Sequence, residues 1–111
     1  MNSIQHFVDG KIFKGSSKRT GKVFNPAIGE QSSEVSFATT DDVNKAVLVA
    51  KTAFTSWTKK TPLFRARILF KFKELIEKNS DELTKIIVSE HGKVYEDARG
   101  SLTRRLEMAE F

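Results

Sequence analysis

The stretch PLFRARILFKFKELIEKNSDELTKIIVSEHGK, Pro62 to Lys93, commits this chain to a pair of helices meeting at Asn79-Ser80. Pro62 suits a first helical turn, where no backbone N–H is needed. Phe64, Ile68, Phe72 and Leu75 recur at helical spacing, and Leu69 and Ile76 widen the same stripe. Phe70 falls on the opposite side, among Arg67, Glu74 and Glu77. It is either a lone exposed aromatic, which is common, or, with Leu63 and Ala66, a second apolar strip awaiting a partner. Arg65 lies within the main apolar arc. Its stem either runs along apolar surface with the head in water, or it is half of a buried ion pair.

Ser80 is the expected cap of the second helix, with Asp81 and Glu82 in the first turn opposing the positive end of the dipole. Leu83, Ile86 and Ile87 form the expected buried stripe. Gly92 is placed for the left-handed position that ends a helix, and Lys93 follows near the negative end. Glu90 opposes that dipole and reads as a solvated side chain.

Upstream, residues 5–38 read as β-structure. In QHFVDGKIF the pair Asp9-Gly10 separates two short apolar runs, a strong hairpin signal. Gly15 to Gly21 reads as a flexible loop. Lys22 to Asn25 is a strand ended by Pro26; Ala27-Ile28-Gly29 turns the chain, and Glu34 to Ala38 returns. A helix follows. Thr39 and Asp42 resemble a capping box with Asp in place of Glu. Val43, Ala46, Val47, Ala50, Ala53, Phe54 and Trp57 then trace one narrow stripe that reads as core. A last helix starts after Lys93, with Tyr95, Ala98, Leu102, Leu106 and Ala109 on one face. Gly100 inside it costs roughly 1 kcal/mol against Ala and marks close packing or a break. The pattern is still periodic at Phe111, with no Gly, Asn or Pro to close it, so the expectation is a chain cut within a helix.

A chain of 111 residues with 39% hydrophobic and 30% charged content is globular in class and long enough for a modest core. No apolar run is long enough to span a membrane. MNSIQHFVDG lacks the pattern of a secretory or transit segment, so the expected setting is cytoplasmic. Net charge is +5, but Lys18-Arg19, Lys59-Lys60 and Arg104-Arg105 are separate pairs, and Glu74 dilutes the face of Arg67, Lys71 and Lys78. No nucleic-acid signature accompanies them, and no nucleic-acid partner is expected.

The chemical inventory is thin. Zero cysteines rules out a thiol nucleophile or thiolate metal site within these residues. His6 lies in a strand and His91 at a helix end, and with only these two histidines no metal site is expected. Ser16-Ser17 and Ser32-Ser33 have no base beside them in sequence. Glu96-Asp97 are adjacent on a helix and do not face one another. Gly15 and Gly21 lack Rossmann or P-loop spacing. No catalytic, cofactor-binding or metal residue is therefore assigned.

HFVDGKIF, VFNPAIGE, Val43-Asn44-Lys45-Ala46-Val47 with Trp57, RARILFKFKELIEKN and SEHGK, in this order, resemble the N-terminus of an aldehyde dehydrogenase. The branch they resemble is the CoA-acylating methylmalonate-semialdehyde dehydrogenases. The resemblance implies an α/β fold: two short β-hairpins followed by about four helices, residues 1–111 being the N-terminal part of an NAD-binding domain. It further implies that the complete enzyme uses NAD to oxidise malonate or methylmalonate semialdehyde. The acyl group then passes to coenzyme A with loss of carbon dioxide. The catalytic Cys, the oxyanion-holding Asn and the glycine-bearing NAD loop belong to later parts of such enzymes. The implied partners are the remainder of the chain and, for the complete enzyme, further copies of itself. Three positions depart from the pattern: Ile28 where Thr is usual, Ser101 where Glu is usual, and Arg105 where Gly is usual. The remaining alternative is an autonomous small α/β module that binds or assembles without catalysis.

Overall fold

In the computed structural model, which describes residues 2–111, the chain separates into two compact units. One comprises Met1–Phe24 and Glu30–Lys59; the other comprises Asn25–Gly29 and Lys60–Phe111. Five strands precede four helices among the described residues, which is the expected α/β order.

The first unit contains β1 (Asn2–Ile4), β2 (His6–Val8), β3 (Lys11–Phe13), most of β4 (Thr20–Asn25), β5 (Glu30–Ser36) and α1 (Thr40–Trp57). β2 and β3 form the hairpin that Asp9-Gly10 announces, with His6 opposite Phe13, Phe7 opposite Ile12 and Val8 opposite Lys11. Both turn residues take positive φ, 56° at Asp9 and 71° at Gly10, as a two-residue turn between right-twisting strands requires. β4 and β5 are neighbours, and β1 joins them on the other side of β5. β1 is parallel to β5, with Asn2, Ser3 and Ile4 opposite Ser33, Glu34 and Val35. A three-residue strand pairing with a segment thirty residues away has no local signature, so Asn2–Ile4 does not stand out in the sequence.

Three strand limits differ from expectation, one of them the end of β5, at Ser36 and not Ala38. β4 begins at Thr20, and β5 begins at Glu30. Gly21 is thus a strand residue, not the end of a flexible loop. A Cβ on it would lie 2.7 Å from Phe37 Cζ, so the missing side chain makes room for the Phe37 ring. The amide of Phe37 donates to the Arg19 carbonyl at 3.0 Å, carrying the ladder past the strand ends.

α1 starts as its sequence dictates. Thr39 Oγ1 accepts from the Asp42 amide at 3.1 Å, and Asp42 Oδ2 accepts from the Thr39 amide at 2.9 Å. This is a reciprocal capping box with Asp as the reaching residue.

The second unit packs α2 (Pro62–Lys78), α3 (Ser80–His91) and α4 (Tyr95–Glu110) with the turn Asn25–Gly29. Thr61 caps α2 by accepting from the Phe64 amide at 3.2 Å, with Pro62 at the first turn. Asn79, not Ser80, occupies the α2–α3 junction. Its Nδ2 donates to the Leu75 carbonyl at 2.7 Å, so its side chain closes α2 and leaves α3 without a side-chain cap. Asp81 and Glu82 stand against the positive end instead. Ser80 is the first residue of α3, and its carbonyl accepts from Thr84 Oγ1 at 2.7 Å. α3 ends at Gly92 with φ 76°, the expected left-handed stop.

The core of this unit sits mainly between α3 and α4, with α2 against α4. Thr84 and Ala98 are fully buried. Tyr95, Leu102, Leu106 and Ala109 are half-buried on the Ala98 side of α4, the face the spacing predicts. On α3 the buried side includes Thr84, with Leu83, Ile87 and Val88 half-buried, while Ile86 is exposed. The α2 helix departs most from expectation. Its half-buried residues are Arg65, Ala66, Lys73 and Ile76. Phe64, Ile68, Leu69, Phe72 and Leu75, the predicted core stripe, are all exposed, and so is Phe70. Lys73 pairs with both Glu77 and Glu110, tying α2 to α4. The hydrogen bond that Lys73 donates to Glu110 is the main cause of its raised pKa. Arg65 forms no ion pair among the described residues, and its buried Nε has no hydrogen-bond partner. Gly100 does not break α4, which runs through it.

Candidate functional site

The most developed polar cluster lies at the start of α1, in the first unit. Asp42 is buried, at 7% exposure. Beyond the Thr39 amide, it receives the Ser16 amide at 3.1 Å on Oδ2 and the Ser16 hydroxyl at 3.1 Å on Oδ1. Ser16 Oγ also lies 3.0 Å from Thr39 Oγ1. The Thr39 backbone N–H, then that of Ser16, hold the Asp42 carboxyl at about 2, below the usual 3.8. A carboxylate so saturated with donors is a poor proton acceptor near neutrality. Ser16, likewise, donates its hydroxyl to a carboxylate that orients it. The cluster is a clasp that holds the loop between β3 and β4 to the head of α1.

His6 lies next to this clasp. A Cβ on Gly15 would stand 3.1 Å from Asp42 Oδ2 and 3.4 Å from His6 Nε2, so Gly15 passes between the two side chains. His6 Nε2 is buried without a partner, and its ring tilts against Phe13, 6.2 Å between centroids. Lys45 Nζ covers the Phe13 ring at 4.5 Å. A groove of about 320 Å³ borders this corner, walled by Phe13, Ala38, Val43, Ala46 and Val47. Its walls are mainly apolar, with His6 and Asp42 as the polar members.

The other sequence candidates are dispersed. Ser17 Oγ accepts from the Arg19 amide at 3.0 Å, and Ser32 Oγ donates to the Val23 carbonyl at 3.2 Å; both serve local backbone. Ser33 lies in β5 opposite Asn2. Glu96 and Asp97 occupy the first turn of α4, where they oppose the dipole. His91 is in the last turn of α3. No three His, Asp or Glu side chains gather as a metal site among the described residues. No helix there is long and apolar enough to cross a membrane.

Uncovered apolar side chains dominate both units. On α1, Val43, Val47, Leu48 and Phe54 are exposed, Phe54 by 62%. On α2 the exposed set is Phe64, Ile68, Phe72 and Leu75, with Phe70 at 58% on the other side. Contiguous exposed apolar surface of this kind marks a contact site. The α1 stripe expected as core is therefore not core within its own unit: Val43, Val47, Ala50, Ala53, Phe54 and Trp57 are exposed and only Ala46 is half-buried, because no element of that unit covers this face.

The sequence profile of the aldehyde dehydrogenase family matches residues 12–111. The malonate-semialdehyde dehydrogenase 2 of Bacillus thuringiensis (strain Al Hakam) is 41% identical over 108 residues, 97% of this chain and 22% of that protein. The malonate-semialdehyde dehydrogenase of Pseudomonas aeruginosa is 37% identical over 111 residues, all of this chain and 22% of that protein. Among solved structures, a Sinorhizobium meliloti 1021 protein assigned as a methylmalonate-semialdehyde dehydrogenase, crystallised with NAD, superposes with a TM-score of 0.97 at 41% identity. The match covers 100% of this chain and 23% of that one. The methylmalonate-semialdehyde dehydrogenase of Oceanimonas doudoroffii superposes with a TM-score of 0.95 at 41% identity, covering 99% of this chain and 22% of that one. This chain thus spans about a fifth of the length of the relatives it matches.

Proposed function

The chain belongs to the aldehyde dehydrogenase family, and from that premise we propose that it forms the N-terminal part of the NAD-binding domain of a malonate- or methylmalonate-semialdehyde dehydrogenase. In the complete enzyme, NAD accepts hydride from the semialdehyde, the acyl group passes to coenzyme A, and carbon dioxide is lost. These 111 residues supply packing surface for that enzyme and no catalytic group.

The observation that carries the reading is the 41% identity extending over 97% of the chain. The open stripes on α1 and α2 support the division of labour, since apolar faces of this size call for further protein to cover them.

The helix starts support placing the NAD-binding residues outside this chain. A dinucleotide pyrophosphate needs free N–H groups at an uncharged helix N-terminus. α1, α3 and α4 begin with Asp41-Asp42, Asp81-Glu82 and Glu96-Asp97, which repel phosphate. At α2, Pro62 removes one donor and Thr61 takes another. Gly15, beside the Asp42 carboxylate, presents the wrong charge to a phosphate.

The test is reassembly. The chain is co-expressed with the Bacillus thuringiensis relative lacking its matching 108 residues. The two pieces are expected to co-purify, and NADH formation from malonate semialdehyde with coenzyme A is expected only from the pair. Turnover by the 111-residue chain alone would place catalytic groups within it and overturn the reading. Failure to co-purify would favour an independent binding module.

A further inference from the structure

We propose that the face of α2 centred on Phe70 binds the same face of a second copy of this chain, with the two helices antiparallel. Phe70 is 58% exposed, and Leu63, two turns earlier on the same side, is 60% exposed. At helical spacing these two share a strip with Arg67, Glu74 and Glu77. The strip lies on the side of α2 away from Ile68, Phe72 and Leu75, so its use leaves that stripe to the rest of the enzyme.

The charges on the strip are sorted along the helix. Arg67 stands one turn before Phe70, and Glu74 and Glu77 stand one and two turns after it; all three are exposed. Arg67 has no carboxylate partner among the described residues. Its neighbour one turn on is Lys71, and like charges at that spacing destabilise a helix. Glu74 is held by Lys71 at 3.0 Å, at the edge of the strip, and its carboxylate has acceptor capacity left.

This order of charges selects both the occupant and its direction. A purely acidic or purely basic partner answers one half of the strip and is repelled by the other; a second copy answers both. In a parallel pair, Arg67 would face Arg67 and Glu74 would face Glu74. Turned antiparallel about a twofold axis at Phe70, Arg67 of each copy meets Glu74 of the other. The two lie about 4.5 and 6 Å from Phe70 along the helix, a mismatch that long side chains absorb. Phe70 then packs on Phe70 of the second copy, and Leu63 covers the methylene stem of the opposite Glu77.

The experiment is sedimentation equilibrium of the 111-residue chain. A contact this short is at the small end of interfaces, so a reversible dimer with a Kd on the order of 100 µM is expected. Phe70→Lys, Arg67→Glu and Glu74→Arg are each expected to weaken it by about tenfold. An equal mixture of the Arg67→Glu and Glu74→Arg chains presents an all-acidic strip to an all-basic one, and its affinity is expected to return to within about threefold of wild type. Leu75→Ser, on the opposite stripe, keeps wild-type affinity. All of these positions are exposed, and circular dichroism checks that each variant keeps its helices. A wild type that stays monomeric assigns the face to another occupant and overturns the proposal. So does association that Leu75→Ser weakens and the charge changes do not, or a mixture that associates no better than its components.

Discussion

Gly92 at the end of α3 is packed against Pro26: a Cβ built on Gly92 would stand 2.9 Å from Pro26 Cγ. Gly92 also holds φ at 76°. Backbone conformation and steric room therefore both select glycine here. Gly92→Ala is expected to destabilise the second unit by about 1–3 kcal/mol. Adding Pro26→Ala should recover the steric part and leave the backbone part. Urea unfolding of the two variants measures both, and an unchanged midpoint for Gly92→Ala would contradict the account.

Gly100 should behave in the opposite way. It sits inside α4 with helical neighbours on both sides. A Cβ there would meet only the tip of Arg104, Nη1 at 3.5 Å, an ordinary contact with a flexible side chain. Gly100→Ala is expected to stabilise the helix by about 0.5–1 kcal/mol. A lower melting temperature in circular dichroism would show that this position needs the space.

Asp42 makes the first unit acid-sensitive. Its carboxyl is held at about 2 against the usual 3.8. A group depressed on folding stabilises fully above its unfolded value, and that stabilisation is lost as pH falls through the folded value. The clasp on Ser16 should be intact above about pH 4 and released towards pH 2. The expected result is a loss of wild-type stability across that window. Asp42→Asn should be less stable at neutral pH and flatter across the same window. Superposable acid-unfolding curves for the two proteins would sink the assignment.

Phe70 on α2 offers a test of which α2 residues are packed. It is 58% exposed, so Phe70→Lys should change stability by no more than about 0.5 kcal/mol and reduce light scattering. Ile76→Ala, on the half-buried face, should cost about 1–2 kcal/mol. A larger penalty at Phe70 than at Ile76 would invert the packing described above.

These residues also show what the sequence reveals and where it stops. The Thr39/Asp42 box, the Asp9-Gly10 turn and the Gly92 stop are local devices whose chemistry is complete within a few residues, so they are legible. The pairing of β1 with β5 and the reach of Ser16 to Asp42 are not, because each joins positions far apart in the chain. Periodicity identifies an amphipathic face but not its partner. For that reason the α4 face containing Ala98 is read correctly, while the Phe64–Leu75 stripe, equally clear in sequence, lies exposed. The junction at Asn79-Ser80 is legible as a break, but either residue has the chemistry of a cap. The choice depends on Asn79 turning back to Leu75.

The burial of Thr84 and Ala98 has a geometric consequence. Thr84 satisfies its hydroxyl within its own helix, on the Ser80 carbonyl. At the two most enclosed positions of the second unit, the side chains are accordingly small. Small residues set a short distance between helix axes, and a short distance tolerates little enlargement. The α3–α4 crossing thus acts as a gauge, with Ala98 fixing the gap. Because α4 also carries α2, through Lys73 and Glu110, a bulkier side chain at that one position would be registered across the whole three-helix unit.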